Sequence, residues 1–239
     1  MSAPPAPKTL ETTQTEGTTS HPNMAWYRRN PIYDRSRLLR TAAGARKKGR
    51  RKKAIELYRK VLAVEPNDAQ VHRKIAPLLA ETKQRDDSWK SYQRAAEQLR
   101  GQGFVDKAIG VLRGATRYLA DEPELWRALS RLELERHRPA DAVSALLEGA
   151  GHLRSRRTRD SALLLLLTAR KIAPDAFEPN LALGRELVRC GARDRGVRLL
   201  EQLADRTLGV QQRAVRALLF RISPTPAAAW RWLRAVRGC

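Results

Sequence analysis

The sequence predicts an all-α protein, a solenoid of about ten to twelve helices. The first observation is compositional: Ala, Leu and Arg dominate the chain, and all three form helices readily. The second is a recurring pattern, in which a small residue is followed four positions later by a large one and three positions after that by a third, mostly small residue. These positions share one face of a helix, so the small residues let a neighbouring helix approach closely and the large one fills the groove.

The pattern occurs six times, and a long interval of 34 positions, such as Ala54 to Ser88, alternates with a short interval of 20, such as Ser88 to Ala108. The long interval leaves room for two helices and two turns, whereas the short one fits a single helix and a loop. Residues 69–122 (unit 1) and 123–176 (unit 2) are therefore predicted to contain three helices each and to repeat one another in register, one helix serving in two successive pairs. The six copies begin at Ala54, Ser88, Ala108, Ala142, Ala162 and Gly196.

Turn residues fall between the predicted helices and support their order. One proline is placed differently, because Pro77 lies inside a predicted helix, where we expect a kink. The turn positions are Gly49, Asp86, Asp87, Gly101, Gly103, Pro123, Pro139, Pro174, Pro179 and Gly191.

This helical pattern resembles the tetratricopeptide repeat across residues 35–206. Two segments match the second half of the family's signature and two match the first half, which is degraded in unit 1. The resemblance implies a right-handed solenoid and a non-enzymatic adaptor that binds a protein segment in its groove, although the short intervals depart from the family's period. The matching residues are Ala54, Tyr58 and Pro66; Ala162, Leu166 and Pro174; Trp126, Leu129 and Ser130; Asn180, Leu183 and Gly184; and, degraded, His72, Ile75 and Ala76.

Charge divides the chain into three predicted parts. The formal net charge is +22, and the excess lies at the ends: residues 25–53 carry twelve Lys or Arg against one acid, and residues 207–239 carry six Arg and no acid. We expect a disordered Pro/Thr/Ser-rich tail at 1–24 and a repeat domain with a basic N-terminal hairpin at 25–206. A basic helical segment at 207–239 is expected to serve as a cap or as a docking helix.

The basic run RKKGRRKK (46–53) spans the predicted turn at Gly49. It is interpreted either as a solvated corner of the first repeat or as a site for polyanions, with nucleic acid binding through the basic ends of the chain. Peripheral docking of the protein on an anionic membrane is a further alternative. Few aromatic residues accompany it, so nucleic-acid binding is expected to be non-specific and to weaken as salt rises. The candidate polyanion residues are Arg46, Lys47, Lys48, Arg50, Arg51, Lys52 and Lys53.

A solenoid usually binds its partner on the concave surface that the first helix of each pair lines. Arginine pairs well with carboxylates, so an acidic segment of a partner protein is the occupant that this surface favours; ordinary solvated arginines are the alternative. Tetratricopeptide proteins that clamp chaperone C-termini carry Lys and Asn where Leu39 and Ala43 stand here, so that activity is not expected. The candidate groove residues are Arg73, Lys74, Arg127, Arg131, Arg185 and Arg189.

The C-terminal segment SPTPAAAWRWLRAVRGC (223–239) predicts one more helix. Pro226 suits its first turn with Thr225 as the cap, and Gly238 suits its end. This helix is expected either to close the solenoid or to dock on a partner.

Its two tryptophans cannot face the same neighbour, since they lie about 200° apart around a helix. One indole is therefore expected to be exposed, unless the last loop folds back and covers it. The stripe expected to close the open end of the solenoid is Trp230, Leu233 and Val236, and the candidate docking residues are Trp230, Arg231, Trp232 and Arg234.

No catalytic, cofactor or metal site is expected. Cys190 and Cys239 are too few for a disulfide framework or a metal site and fit a reducing compartment. His72 takes the packing position that Trp126 occupies one unit later, which favours a packing role over a ligand role. The longest apolar run, ALLLLL (162–167), is too short to span a bilayer, so a soluble cytoplasmic protein is expected. The partner and the oligomeric state stay open.

Overall fold

The computed structural model describes residues 33–237, so the predicted tail and Gly238 lie outside the described part. Within it the chain forms twelve α-helices, one short 3-10 helix and no strand, and each helix packs mainly on its neighbours along the chain, which confirms the predicted all-α solenoid. The helices are α1 Arg35–Lys47, α2 Arg51–Val64, α3 Ala69–Glu81, α4 Arg85–Gly101, α5 Val105–Leu119, α6 Pro123–Glu135, α7 Pro139–His152, α8 Arg159–Ile172, α9 Phe177–Arg189, α10 Arg193–Arg206, α11 Gly209–Ile222 and α12 Pro226–Arg237.

The small-large-small pattern forms the core, as predicted. All eighteen positions of the six copies are buried, and the four alanines that begin copies have no exposed surface at all. Where a copy uses glycine, the reason is close approach: a Cβ on Gly196 would lie 2.8 Å from the carbonyl oxygen of Gly184 on α9. The fully buried alanines are Ala54, Ala108, Ala142 and Ala162.

The two predicted three-helix units are present. Unit 1 holds α3, α4 and α5, and unit 2 holds α6, α7 and α8. In each unit the middle helix packs along both of its neighbours, and the first helix also touches the third. The middle helix therefore belongs to two pairs at once, which accounts for the short interval of the sequence pattern. α3 runs through Pro77, and the kink predicted there stays a prediction.

The turns follow the same alternation as the helices. Five of the six residues with positive φ in the described chain recur at a long interval, a short one, a long one and finally the length of a whole unit, because each follows the first helix of a pair. The sixth, Gly209, begins α11. A second short interval would place such a residue at position 157, but the 3-10 helix Arg156–Thr158 occupies that turn. The series is Gly49, Lys83, Gly103, His137 and Gly191.

One side-chain hydrogen bond recurs once per unit, at equivalent positions. In each case a buried side chain near the start of a unit's first helix donates to the backbone carbonyl six positions earlier, which ties the helix to the turn before it. This confirms the packing role predicted for His72. The bonds are His72 Nε2 to Pro66 O (2.8 Å), Trp126 Nε1 to Ala120 O (2.8 Å) and Asn180 Nδ2 to Pro174 O (2.7 Å).

Candidate functional site

The predicted groove residues lie on three helices, α3, α6 and α9. Four of them are exposed without an acidic partner among residues 33–237, while Arg127 and Arg189 each pair with a glutamate one turn earlier on the same helix. Arg131 lines a cavity between α4 and α6. The structure therefore places these six residues on separate helices, and their shared role in a groove stays a prediction.

The cavity beside Arg131 is a groove between α4 and α6 with α5 beneath it (the α4–α6 groove). Its volume is 290 Å³. Half-buried Trp89 and Ala128 give it an apolar part, and the guanidinium of Arg100 bonds both carboxylate oxygens of Glu135 at 2.9 Å along its edge. The other lining residues are Gln93, Ala96, Glu97, Leu112, Glu124, Arg131 and Leu132.

A second cavity of 360 Å³ lies between α2, α3 and α4 (the basic groove). Lys90 and Arg94 stand four positions apart on α4, so they share one face, and neither pairs with an acid within residues 33–237. Arg59 of α2 bonds Asp87 Oδ2 and Gln84 Oε1, each at 2.9 Å. The remaining lining residues are Leu62, Ala63, His72, Ile75, Leu79 and Ser91.

His72 lies against the basic groove and is 3% exposed. Its Nε2 carries the proton that is donated to Pro66 O, and Nδ1 has no protein partner in the described part of the chain. Burial lowers the pKa of His72 below its ordinary value of 6.5, with the bond to Pro66 acting in the opposite direction. The ring is therefore neutral at pH 7.

Four of the seven predicted polyanion residues line a shallow concavity of 530 Å³ where the α1–α2 turn faces the α3–α4 turn (the basic corner). All seven side chains are exposed, and within the described range only Arg51 has an acidic partner, Glu81. Arg50, Arg51, Lys52 and Lys53 line the concavity at the start of α2, where backbone N–H groups also favour anions. The structure places the seven predicted cations at one exposed corner, and their role as a polyanion site stays a prediction.

The C-terminal helix α12 begins at Pro226, and Thr225 Oγ1 accepts the Ala228 N–H at 3.1 Å, as predicted. Which tryptophan packs was predicted wrongly. Trp232 stacks on Phe220 of α11, with ring centroids 6.0 Å apart, so the rotation of α12 turns Trp232 and not Trp230 towards α11. The predicted closing stripe consequently faces outward: Trp230 is 60% exposed, Leu233 44% and Val236 45%.

The charged residues of α12 are placed beside this stripe. The Arg234 guanidinium lies 5.2 Å from the centre of the Trp230 ring, and Arg231 reaches Glu201 of α10 at 3.4 Å. The stripe is thus apolar with a basic border, and one candidate docking residue, Trp232, is removed from it by packing.

Residues 33–237 contain neither a metal-binding cluster nor a membrane-spanning helix. No group of His, Cys, Asp or Glu side chains there could hold a metal ion. None of the helices in that range is both long enough and apolar enough to cross a membrane.

Sequence reasoning missed the basic groove. Lys90 and Arg94 look like ordinary solvated residues until units 1 and 2 are aligned, which pairs them with Ser144 and Glu148. That change of charge at equivalent positions is the signal that was available. It did not indicate a cavity, because the opening between helices depends on side-chain volumes at other positions.

No family model and no curated protein matches the chain. Solved structures with a similar helical arrangement include a tetratricopeptide repeat protein from Parabacteroides merdae, at 12% identity and a TM-score of 0.33, covering 85% of this chain and 92% of that one. A putative kinesin light chain with TPR-like repeats from Podospora anserina has 16% identity and a TM-score of 0.38, covering 84% and 92%. Yeast Tom70 has 14% identity and a TM-score of 0.31, covering 75% and 46%. The fold described above rests on the helix contacts of this chain itself.

Proposed function

We propose that this tetratricopeptide-like solenoid is a non-enzymatic scaffold that binds a segment of a partner protein in the α4–α6 groove. The observation that carries the proposal is the groove itself, a cavity of 290 Å³ that combines an apolar part with hydrogen-bonding and charged groups at its edge. Repeat solenoids commonly bind their partners on surfaces that successive helices line together.

The lining of the groove has the composition of a protein-binding surface. Half-buried Trp89 can contribute a large apolar contact without a large loss of side-chain entropy, and tryptophan and arginine dominate the energy of many interfaces. Gln93 and Arg131 line the same groove and can hydrogen-bond to a bound segment. A volume near 290 Å³ holds one or two side chains of a bound segment.

The test is to plug the groove. Ala128 is half-buried in its wall, so Ala128→Trp fills the cavity, and Ala182→Trp makes the matched change one unit later on α9. Each chain is used to recover partners from a nuclease-treated lysate of the source organism at near-physiological salt, with a photocrosslinking residue at Gln93. We expect one protein to be crosslinked by the wild-type chain and by Ala182→Trp, and lost with Ala128→Trp. Equal crosslinking by both variants would place the binding surface elsewhere.

The outward stripe of α12 is proposed as a further contact for the same partner. Three apolar side chains with a basic border are exposed together on the last helix, and this grouping favours a docking role. Deleting residues 224–239 is expected to abolish capture and leave the repeat body folded by circular dichroism. If the truncated chain unfolds, the helix is a structural cap. Binding of the intact chain to anionic vesicles but to no protein would favour a membrane surface instead.

Polyanion binding at the basic corner is a second candidate function. It is favoured by the concavity of 530 Å³ and by the six corner cations without an acidic partner in the described range. We expect a labelled single-stranded oligonucleotide to bind at low salt and to dissociate as salt rises, because the affinity comes from counterion release. Neutralising the seven corner residues should flatten the salt dependence, whereas neutralising the exposed pair Arg156 and Arg157 should leave it nearly unchanged. Sequence-selective binding at physiological salt would rank this function above the scaffold.

A further inference from the structure

We propose that the basic groove binds the carboxylate of an acidic segment of the partner protein, with an aliphatic neighbour of that carboxylate on the groove floor. The proposal rests on the scaffold function above and names the chemistry of the segment it recognises. It moves the acid-binding role from the predicted arginines of α3, α6 and α9 to Lys90 and Arg94 of α4.

The first argument comes from the charged side chains that line the basic groove. Arg59, Lys90 and Arg94 surround the cavity with a single acid, Asp87, which is already engaged by Arg59 at 2.9 Å. The two cations on α4 have no acidic partner within residues 33–237 and stand one helical turn apart. A carboxylate placed between them gains two charge-assisted hydrogen bonds.

At the equivalent surface of unit 2 a carboxylate of the chain itself lies beside the cation. At the positions one whole unit later, Glu133 takes the place of Leu79 and Arg113 that of Arg59. Glu133 is fully buried, and its Oε1 accepts a bond of 2.7 Å from Arg113 Nη2. Unit 2 thus supplies a carboxylate from its own first helix to the cation on the preceding helix.

Unit 1 differs in both parts of that arrangement. Leu79 brings no carboxylate, while Lys90 and Arg94 stand where unit 2 has Ser144 and Glu148. The groove in unit 1 is therefore rich in cations and short of acids, and the equivalent surface in unit 2 has the opposite balance. This difference favours an anion that comes from another molecule.

The floor of the groove selects a protein segment over nucleic acid. Leu62, Ile75 and Leu79 make it aliphatic, and no Trp, Tyr or Phe of the described chain lines it, so a base would find no ring on which to stack. A cavity of 360 Å³ accommodates a carboxylate side chain together with an adjacent Leu, Ile or Val. The recognised segment thus carries Asp or Glu next to Leu, Ile or Val.

The experiment uses a random dodecapeptide library displayed on phage and selected at near-physiological salt on the full chain and on the Lys90→Glu/Arg94→Glu variant. Both positions are exposed, and circular dichroism checks that the variant folds. We expect the wild type to enrich Asp or Glu next to Leu, Ile or Val, and the variant to enrich Lys or Arg. A fluorescein-labelled copy of the best wild-type peptide should bind the variant at least about tenfold more weakly.

Two controls separate the site from general charge. Arg156→Glu/Arg157→Glu makes the same charge change on an exposed turn and should retain the peptide's affinity within about twofold. Lys90→Gln/Arg94→Gln should lose the acidic preference without acquiring a basic one. Equal losses in the two glutamate double variants would overturn the proposal, since they would reflect net charge alone.

The remaining outcomes distinguish this inference from the scaffold proposal. If the selected peptides lack acidic residues and their binding is lost with Ala128→Trp, the scaffold stands and the acidic-segment inference falls. If no peptide is selected and Gln93 crosslinks no protein, both fall. If a twelve-nucleotide single strand displaces the peptide from the wild type and binds the groove through Lys90 and Arg94, the groove takes phosphate and the inference is wrong.

Discussion

Units 1 and 2 share a backbone plan and differ in how their interiors are filled. Both have three helices, a residue with positive φ after the first one, and the same hydrogen bond from the first helix to the preceding carbonyl. At the centre of that arrangement unit 1 has His72 and unit 2 has Trp126. The groove beside His72 has a volume of 360 Å³, so the smaller ring accompanies an open surface.

A compensating change of volume accompanies this difference. A Cβ on Gly149 would lie 2.3 Å from Trp126 Cγ, so the large indole requires glycine on the facing helix. The residues 23 positions after the three recurring donors run in the opposite order of size from the donors themselves, the order expected where close packing keeps the summed volume of facing residues similar. The pairs are Trp126 with Gly149, His72 with Ala95, and Asn180 with Leu203.

The largest expected effect is in unit 2. Trp126 is 1% exposed and stacks on His152 with centroids 5.6 Å apart, so Trp126→Ala should reduce the free energy of unfolding by about 3–5 kcal/mol. His72→Ala removes a smaller ring and one hydrogen bond and should cost about 1–2 kcal/mol. Urea denaturation measures both, and hydrogen exchange by mass spectrometry should locate each loss in its own unit. Equal losses of unfolding free energy would mean that Trp126 and His72 contribute equally to the packing of their units.

The next largest effect is expected when unit 1 is given the core residues of unit 2. His72→Trp alone should overpack unit 1 against Ala95 and cost about 1–3 kcal/mol. Adding Ala95→Gly supplies the space that Gly149 supplies in unit 2, so the double variant should be more stable than the sum of the single changes indicates.

The control for this cycle is Gly149→Ala, which should destabilise unit 2 because its methyl group meets the Trp126 ring. Strict additivity of His72→Trp and Ala95→Gly would disprove the volume compensation. Thermal unfolding and urea denaturation both serve as the readout.

A smaller effect concerns the ion pair between Arg113 of α5 and Glu133 of α6, which joins unit 1 to unit 2; at the equivalent positions one unit earlier, Arg59 and Leu79 cannot form it. Arg113→Ala leaves the buried Glu133 carboxylate without its partner and should cost about 1–2 kcal/mol, reduced from a fully buried case because the Arg113 side chain is 61% exposed. Glu133→Leu gives unit 2 the residue of unit 1 and should be neutral or slightly stabilising. The double variant should recover the stability lost with Arg113→Ala. If Glu133→Leu is as harmful as Arg113→Ala in urea denaturation, the ion pair itself stabilises the unit.

The smallest expected effect is a pH dependence confined to unit 1. Since burial lowers the pKa of His72 in the folded chain, the unfolded chain binds a proton first as the pH falls below 6.5. The stability that the neutral ring contributes is complete above that pH and is lost as the pH falls through the folded-state pKa. Asn180 stands at the equivalent position two units after His72 and makes the same hydrogen bond. His72→Asn should therefore keep the hydrogen bond and remove this part of the pH dependence. A variant whose unfolding free energy follows the same pH profile as the wild type would exclude His72 as the source.

Much of the fold could be predicted because it depends on local chain geometry. The buried faces follow from helical periodicity, which brings Ala142, Leu146 and Gly149 onto one side whatever the rest of the chain does. The cap at Thr225 and the turn at Gly49 follow in the same way from backbone preferences of single residues. The turns at Lys83 and His137 were less visible, since positive φ is uncommon for residues other than glycine.

The candidate site was harder to predict because it depends on contacts between distant residues. The arginines of α3, α6 and α9 were placed on the correct helices, but whether a cavity opens beside them depends on volumes contributed by other helices. Arg131 lines the α4–α6 groove together with residues of α4 and α5. Lys90 and Arg94 acquire a groove because α2 and α3 stand opposite them.

By itself the sequence determined the helices, their order, the three-helix units and the residues that face the core, since periodicity and turn chemistry act over a few neighbouring positions. The tertiary structure decided how each helix is rotated and where the surface opens. At α12 the composition allows either tryptophan to pack, and the stacking of Trp232 on Phe220 selects the rotation that leaves Trp230 exposed. At the basic groove His72 of α3 lies between α2 and α4. Lys90 and Arg94 of α4 face this groove and have no acidic partner within residues 33–237. Both outcomes are sums of packing energies across helices, which no local pattern contains.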